Sequence, residues 1–187
     1  MGNARDSALS VLHSLVAEGR DHSTAGGRQA SETSEQEKFK GEDGMKALSL
    51  TQPWASAIAL GIKQWETRSW PTSYRGEILI HASKGFPKWA KEFARDECSE
   101  RRMIFLDPPL GKILCLCELT ECRQTDTVVN EISETEREWG DYTPGRFAFK
   151  MENVRVLTEP VPARGALGLW IVSPDTLTEV ARNLKGK

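Results

Sequence analysis

The chain has 187 residues, of which 39% are hydrophobic and 28% charged, and its formal net charge is −2 at pH 7. This length suffices for one domain of ordinary size whose core needs no disulfide or metal. The near-neutral charge excludes a general polyanion binder, so any nucleic-acid site must be a local cleft. No apolar run is long enough to span a bilayer and no signal-peptide pattern is present, so we expect a cytoplasmic protein without a membrane partner.

The first 44 residues differ in composition from the rest of the chain. Residues 1–19 predict a short amphipathic leader helix, because apolar side chains recur there at helical spacing. Residues 20–44 are mostly Gly, Ser, Thr, Glu and Lys, with Phe39 as the single large apolar side chain, and predict a disordered linker. Residues 45–187 then form the folded domain.

Within that domain, short strands are interrupted by helices. The pattern predicts strands at residues 46–50, 64–70, 77–82, 113–119, 147–157 and 168–172. It predicts helices at residues 52–60, 87–103 and 130–139, the last acidic and exposed, and a C-terminal helix from residue 173. Because strands and helices do not alternate regularly, we expect an α+β fold, a small mixed β-barrel flanked by helices.

The four cysteines show no metal-binding spacing. None of Cys98, Cys115, Cys117 and Cys122 forms a C-x-x-C pair, and the three histidines lie far from them in sequence. Cys115 and Cys117 stand in an apolar strand, where cysteine behaves as a small hydrophobic residue. We therefore predict buried free thiols and no metal site.

The densest polar cluster spans residues 61–68. Alternation along a strand places Glu66 and Arg68 on one face, with Trp70 beyond them and Thr67 on the other face. One interpretation is a solvated face with an ion pair. The other is an inward-facing cavity in which Lys63, Glu66 and Arg68 shift one another's pKa values.

Two other segments favour the cavity. Gln52 and Trp54 lie at a predicted helix start, where free backbone N–H groups can receive an anion. His81 and Ser83 share one face at the end of a predicted strand, with Lys84 following. A single histidine in a strand is more often structural than catalytic, so this segment alone decides nothing.

Several segments in this order resemble the ASCH domain family, and the resemblance runs from about residue 45 to residue 172. They are MKALSLTQPW at 45–54, the pattern Gly-x-Lys-x-x-Glu-x-Arg at 61–68, YRGEILIHAS at 74–83, GKILC at 111–115 and PVPARGALGLW at 160–170. The resemblance implies a PUA-like β-barrel, with no cofactor, whose cleft binds RNA or a nucleotide.

The implied binding residues fall into two groups. Cations and hydroxyls would hold phosphate or sugar groups, and a tryptophan would stack a base. The cations and hydroxyls are those of Lys63, Arg68, His81, Ser83, Lys84 and Arg164, and the stacking residue is Trp54 or Trp70. Gln52 is also expected to bind the ligand.

Two alternatives stay open. One ASCH branch hydrolyses acetylated cytidine, and ribonuclease activity has been assigned to another member. Lys63 matches the catalytic lysine of the cytidine branch, Glu66 stands where that branch has threonine, and Thr67 follows one position later. The other alternative is a protein-interaction domain without a small ligand, whose N-terminal helix docks a protein partner.

Overall fold

The computed structural model describes residues 44–96 and 107–184. The strands are β1 (Lys46–Leu50), β2 (Trp65–Arg68), β3 (Gly76–Ala82), β4 (Lys112–Gln124), β5 (Phe147–Pro162) and β6 (Leu169–Ile171). The helices are α1 (Trp54–Ala59), α2 (Lys88–Asp96), α3 (Thr125–Val128), α4 (Glu134–Glu138) and α5 (Pro174–Asn183). The predicted leader helix, the linker up to residue 43, Cys98 and the predicted helical residues 97–103 lie outside the described residues.

The six strands form one mixed sheet in the order β2-β5-β4-β3-β1-β6. Strand β1 runs parallel to β3, and the other pairings are antiparallel. Helices flank this sheet, so the predicted α+β class and the PUA-like architecture are confirmed. The predicted central strand at residues 113–119 is the middle part of β4, which lies between β3 and β5.

Alternating side chains of the central strands enter two separate cores. Leu48, Ile80 and Cys117 pack with α1 on one face of the sheet. Leu79 and Leu116, the sequence neighbours of two of these residues, pack with α5 on the opposite face. Because both faces of β3 and β4 are covered, their sequences read as continuous apolar runs rather than as an alternating pattern.

The sheet is strongly curled. Four strand spacings separate β2 from β1 in the sheet order, about 19 Å if the sheet were flat. Yet the Arg68 guanidinium of β2 donates a hydrogen bond to the Ser49 carbonyl of β1, with Nη2 and O 2.9 Å apart. Register shifts along the pairing of β4 with β5 bend these two long strands and bring the distant strands together.

The predicted acidic helix at residues 130–139 is shorter than expected and not exposed throughout. Within that range the chain forms only α4, whose residues are exposed except for Glu136, and Trp139 just after it is also buried. Composition misled the prediction, because a run of glutamates reads as a solvated face. Glu136 is instead turned inward and binds backbone groups at the start of β2.

Candidate functional site

A cavity of about 750 Å³ lies where β1, β3 and the loop after β5 meet, and we call it the His81 cavity. Predicted site residues line it, and the sequence analysis had placed them in two distant segments. They are His81, Ser83 and Lys84 after β3, and Arg164 in the loop after β5. Among the described residues, neither Lys84 nor Arg164 has an ion-pair partner, so both positive charges remain available to an anionic ligand.

A chain of hydrogen bonds supports the wall of the His81 cavity. The Trp170 indole N–H donates to the Ser49 hydroxyl over 3.0 Å. That hydroxyl lies 3.1 Å from Nδ1 of His81, and Nε2 of His81 lies 3.2 Å from the Ala163 carbonyl oxygen. Burial lowers the pKa of His81, a shift that the Ala163 hydrogen bond opposes. The imidazole is therefore neutral at physiological pH.

A second cavity, of about 420 Å³, lies beside α1, α2 and β2, and we call it the Trp54 cavity. The predicted residues Trp54, Glu66, Thr67 and Arg68 line it. Thr67 was expected on the face opposite to Glu66 and Arg68, but all three border this space.

Aromatic rings form one wall of the Trp54 cavity. The Trp54 ring stacks on Phe93 with centroids 5.0 Å apart, and its indole N–H donates to the Trp139 carbonyl over 2.8 Å. Trp89 packs at 5.4 Å from Trp54 and is 59% exposed. A large aromatic side chain so exposed at the mouth of a cavity offers a free ring face to a planar ligand.

The two arginines of the Trp54 cavity are each paired with a carboxylate that also lines it. Arg68 lies 3.4 Å from Glu66, and Arg146 lies 3.2 Å from Asp141. Both guanidinium groups are therefore already neutralised, unlike Lys84 and Arg164 in the His81 cavity.

The segment 49–51 separates the two cavities. Ser49 lines the His81 cavity and Thr51 lines the Trp54 cavity. The hydrogen bond from Arg68 to the Ser49 carbonyl crosses this partition. The predicted single cleft is thus two adjoining cavities with a shared wall.

Lys63 was expected among the residues of an inward-facing cavity; its side chain is fully buried and lines neither of the two cavities. Its ammonium lies 3.6 Å from Oε1 of Glu136 and has no hydrogen-bond partner among the described residues. Burial lowers the pKa of Lys63, and the carboxylates of Glu66 and Glu136 oppose this shift. A side-chain carbon at Gly140, which borders the Trp54 cavity, would lie 3.2 Å from Lys63 Nζ. Gly140 therefore lies next to the amine, and Lys63 itself does not line the Trp54 cavity.

Glu136 organises the buried side of this site. Its carboxylate accepts the backbone N–H groups of Gln64 at 2.7 Å and Trp65 at 3.0 Å, and the Tyr142 hydroxyl at 3.3 Å. These bonds fix the start of β2, the strand that carries Glu66 and Arg68. Sequence reasoning missed Glu136 because no local pattern indicates that one glutamate of an acidic run turns inward.

Two predicted ligand residues lie outside the linings of both cavities. The Gln52 amide donates to the Pro109 carbonyl and accepts the Ser56 backbone N–H, which ties the start of α1 to a loop. Trp70 packs edge-on against Phe149 with centroids 5.2 Å apart. The structure gives both residues packing roles.

Other cavity residues escaped prediction, and sequence signals for them were weak. Ser49 has no sequence feature beyond its alternation with Leu48 and Leu50. Trp89 lies within the predicted helix at residues 87–103, where nothing in the sequence indicates that its ring is exposed. Arg146 belongs to a turn that the sequence analysis left unassigned.

No cysteine of the described residues lines either cavity. Cys115 and Cys117 are buried free thiols, and burial raises the pKa of Cys117 to about 12. Across the two described ranges, no group of three or more His, Cys, Asp or Glu side chains is arranged to hold a metal ion. Within the same ranges, no helix has the length and apolar character needed to cross a membrane.

The fold and cavities define a small mixed-sheet domain of the PUA-like kind. The chain belongs to the ASCH domain family, whose family model matches residues 48–161. It is 29% identical over 147 residues to activating signal cointegrator 1 of Homo sapiens, and 28% identical to that of Mus musculus. Each match covers 73% of this chain and 24% of the relative, so the chain spans about a quarter of these relatives' length.

Solved structures of ASCH proteins also match this chain. The crystal structure of ASCH from Zymomonas mobilis aligns with a TM-score of 0.48 and 15% sequence identity. The alignment covers 75% of this chain and 96% of that chain. A mutant of the same bacterial protein aligns with the same score and identity.

Proposed function

We propose that the domain binds single-stranded RNA or a nucleotide, with phosphate in the His81 cavity and a base against the tryptophans of the Trp54 cavity. The contrast in charge between the adjoining cavities carries the proposal. Lys84 and Arg164 have no ion-pair partner among the described residues, whereas Arg68 and Arg146 are paired. A ligand with an anionic end and a planar neutral end matches both cavities at once.

The dimensions agree with this ligand class. Both cavities fall within or near the 300–1,000 Å³ range of small-ligand sites. Ser49 lines one cavity and Thr51 lines the other, so the two linings meet within residues 49–51. Few cations are available, so we expect contact with about one to three phosphates.

The test is fluorescence anisotropy with a short labelled single-stranded RNA. Lys84→Ala and Arg164→Ala should each weaken binding by about ten- to a hundredfold, the loss of one charge-assisted hydrogen bond. Arg182→Ala is the matched control, because Arg182 lies on α5, lines neither cavity and pairs with Glu179. It should leave the affinity unchanged.

The salt dependence sharpens this test. For one to three phosphates on a single strand, the slope of log affinity against log salt should lie between about −0.7 and −2. Equal losses in Arg182→Ala and Arg164→Ala, or a much steeper slope, would indicate a diffuse basic surface rather than the His81 cavity. The same probe made with deoxyribose reports whether the 2′-hydroxyl contributes.

A hydrolase acting on a modified nucleoside is the second candidate, and the buried amine of Lys63 favours it. A lysine with a lowered pKa can serve as nucleophile or base. Because the Lys63 side chain is fully buried and does not line the Trp54 cavity, turnover would require the residues around it to move. Acetylated cytidine is the first substrate to assay: Lys63→Ala and Lys63→Arg should both abolish its turnover, whereas RNA affinity should survive in both.

A further inference from the structure

The hydrogen bonds around Ser49 have a defined direction. The Trp170 indole N–H is only a donor, so the Ser49 oxygen accepts it. The Ala163 carbonyl is only an acceptor, so Nε2 of His81 carries the imidazole proton. In neutral imidazole the other nitrogen is then an acceptor, and the Ser49 hydroxyl donates its own proton to Nδ1 over 3.1 Å.

This arrangement matches the pattern of an activated serine. A nucleophilic hydroxyl lies within hydrogen-bond reach of a base, and a third group, here the Ala163 carbonyl, orients that base. Ser49 and His81 both line the His81 cavity, together with Lys84 and Arg164. We propose that Ser49 and His81 form a nucleophile–base pair that hydrolyses carboxylic esters bearing an anionic group, which the two cations hold.

The chemical step balances without any cofactor. The Ser49 oxygen attacks the ester carbonyl carbon while its proton passes to Nδ1 of His81. The ester C–O bond then breaks, and the leaving alcohol takes that proton. Water attacks the resulting acyl-serine with His81 again as base, which releases the carboxylic acid and restores the Ser49 hydroxyl.

Gly165 is the residue that leaves room at this pair. A side-chain carbon at position 165 would lie 2.6 Å from the Ser49 oxygen and 2.6 Å from His81 Nδ1. The backbone at Gly165 has no positive φ, so alanine is allowed there on conformational grounds. Gly165→Ala therefore obstructs the pair without removing a charge or a hydrogen-bonding group.

The test uses a fluorophosphonate probe, which phosphonylates activated serines with loss of fluoride. Incubation of the full chain, followed by intact-mass measurement and peptide mapping, should give one adduct on Ser49 and none on the exposed Ser69. Ser49→Ala should abolish the adduct, and His81→Ala should slow labelling by about a hundredfold or more. Ser69→Ala is the matched control and should label at the wild-type rate.

Chemical rescue of the His81→Ala variant distinguishes a histidine that acts as a base from one with only a structural role. Free imidazole should restore labelling of His81→Ala, and Gly165→Ala should slow labelling. The proposal fails if native wild-type protein gives no Ser49 adduct, if the adduct maps to Ser83, or if His81→Ala labels as fast as wild type. None of these outcomes bears on RNA affinity, so the proposed function stands or falls separately.

Discussion

The two adjoining cavities use their charged residues in opposite ways. In the His81 cavity, Lys84 and Arg164 face open space without an ion-pair partner among the described residues. In the Trp54 cavity, Arg68 and Arg146 are paired with carboxylates. Behind it, Lys63 and Glu136 form a buried ion pair.

This difference shows that the polar residues in this fold have two separate tasks. Those of the His81 cavity remain available to a ligand, and their loss should change binding more than stability. Those behind the Trp54 cavity hold β2 in place, and their loss should change stability more than binding. The following variants test this division, from the largest expected effect to the smallest.

Glu136→Ala should have the largest effect on stability. It leaves the backbone N–H groups of Gln64 and Trp65 without their acceptor and the Lys63 ammonium without its ion-pair partner. Removing one partner of a buried pair costs about 3–5 kcal/mol of unfolding free energy. Urea denaturation followed by tryptophan fluorescence measures this loss.

Glu138→Ala is the control for that variant. Glu138 is exposed on the same short helix, so its loss should change the unfolding free energy by less than about 0.5 kcal/mol. Similar losses for the two variants would mean that the inward turn of Glu136 contributes little to stability.

Trp170→Ala should destabilise the wall of the His81 cavity. The ring packs with the core beneath α5, lies edge-on to His81 at 5.6 Å, and donates its N–H to Ser49. Because the ring is only partly buried, we expect a loss of about 3 kcal/mol, at the lower end for tryptophan truncation. If Trp170→Ala unfolds at the same thermal midpoint as the wild type, the packing of β6 against this core contributes little to stability.

Trp89→Ala should weaken ligand binding while stability stays nearly constant. The ring is 59% exposed, so little packing is lost. Stacking of one base on an aromatic ring contributes about 1–3 kcal/mol, so RNA affinity should fall by about five- to a hundredfold. Anisotropy and thermal unfolding on the same sample report both quantities. If Trp89→Ala lowers the thermal stability but leaves the RNA affinity unchanged, no base stacks on Trp89 in the Trp54 cavity.

Lys63→Met should alter how stability depends on pH. The pKa of Lys63 in the folded protein lies below its ordinary value of 10.5. As the pH falls below 10.5, Lys63 takes up a proton in the unfolded chain before it does so in the folded protein. The free energy of unfolding of the wild type therefore decreases. The methionine variant lacks this loss.

The measurable quantity is the stability of Lys63→Met minus that of wild type. It should rise as the pH falls below 10.5, the ordinary pKa of lysine, because in the wild type the unfolded chain takes up a proton there before the folded protein does. Lys88→Met, at a side chain that is 90% exposed, should give a flat difference. A flat difference for Lys63→Met would mean that its pKa is not lowered.

Much of the sheet could be predicted from the sequence, because its signals are local. Strands β1 and β3 were placed within a residue or two, since short apolar runs bounded by turn residues identify buried strands. The lengths of β4 and β5 were underestimated. β4 continues through residues 120–124, where Glu121 pairs with Lys150 of β5, and β5 continues through residues 158–162.

The candidate site was less predictable, because it depends on contacts between distant segments. His81 and Ser83, which the strand pattern puts on one face, both line the His81 cavity. The same reasoning placed Lys63 in the same cleft, although its side chain is buried and lines neither cavity. No local pattern indicates that Glu136, 73 positions later, supplies the carboxylate beside the Lys63 amine.

The two outermost strands of the sheet, β2 and β6, have only four and three residues. An exposed strand edge is a template on which another chain can add a strand, and long edges promote aggregation. Edges this short offer few unpaired backbone groups, and the charged Glu66 and Arg68 lie on one of them. The same strand that supplies the charged wall of the Trp54 cavity therefore also disfavours sheet-to-sheet association between copies of the domain.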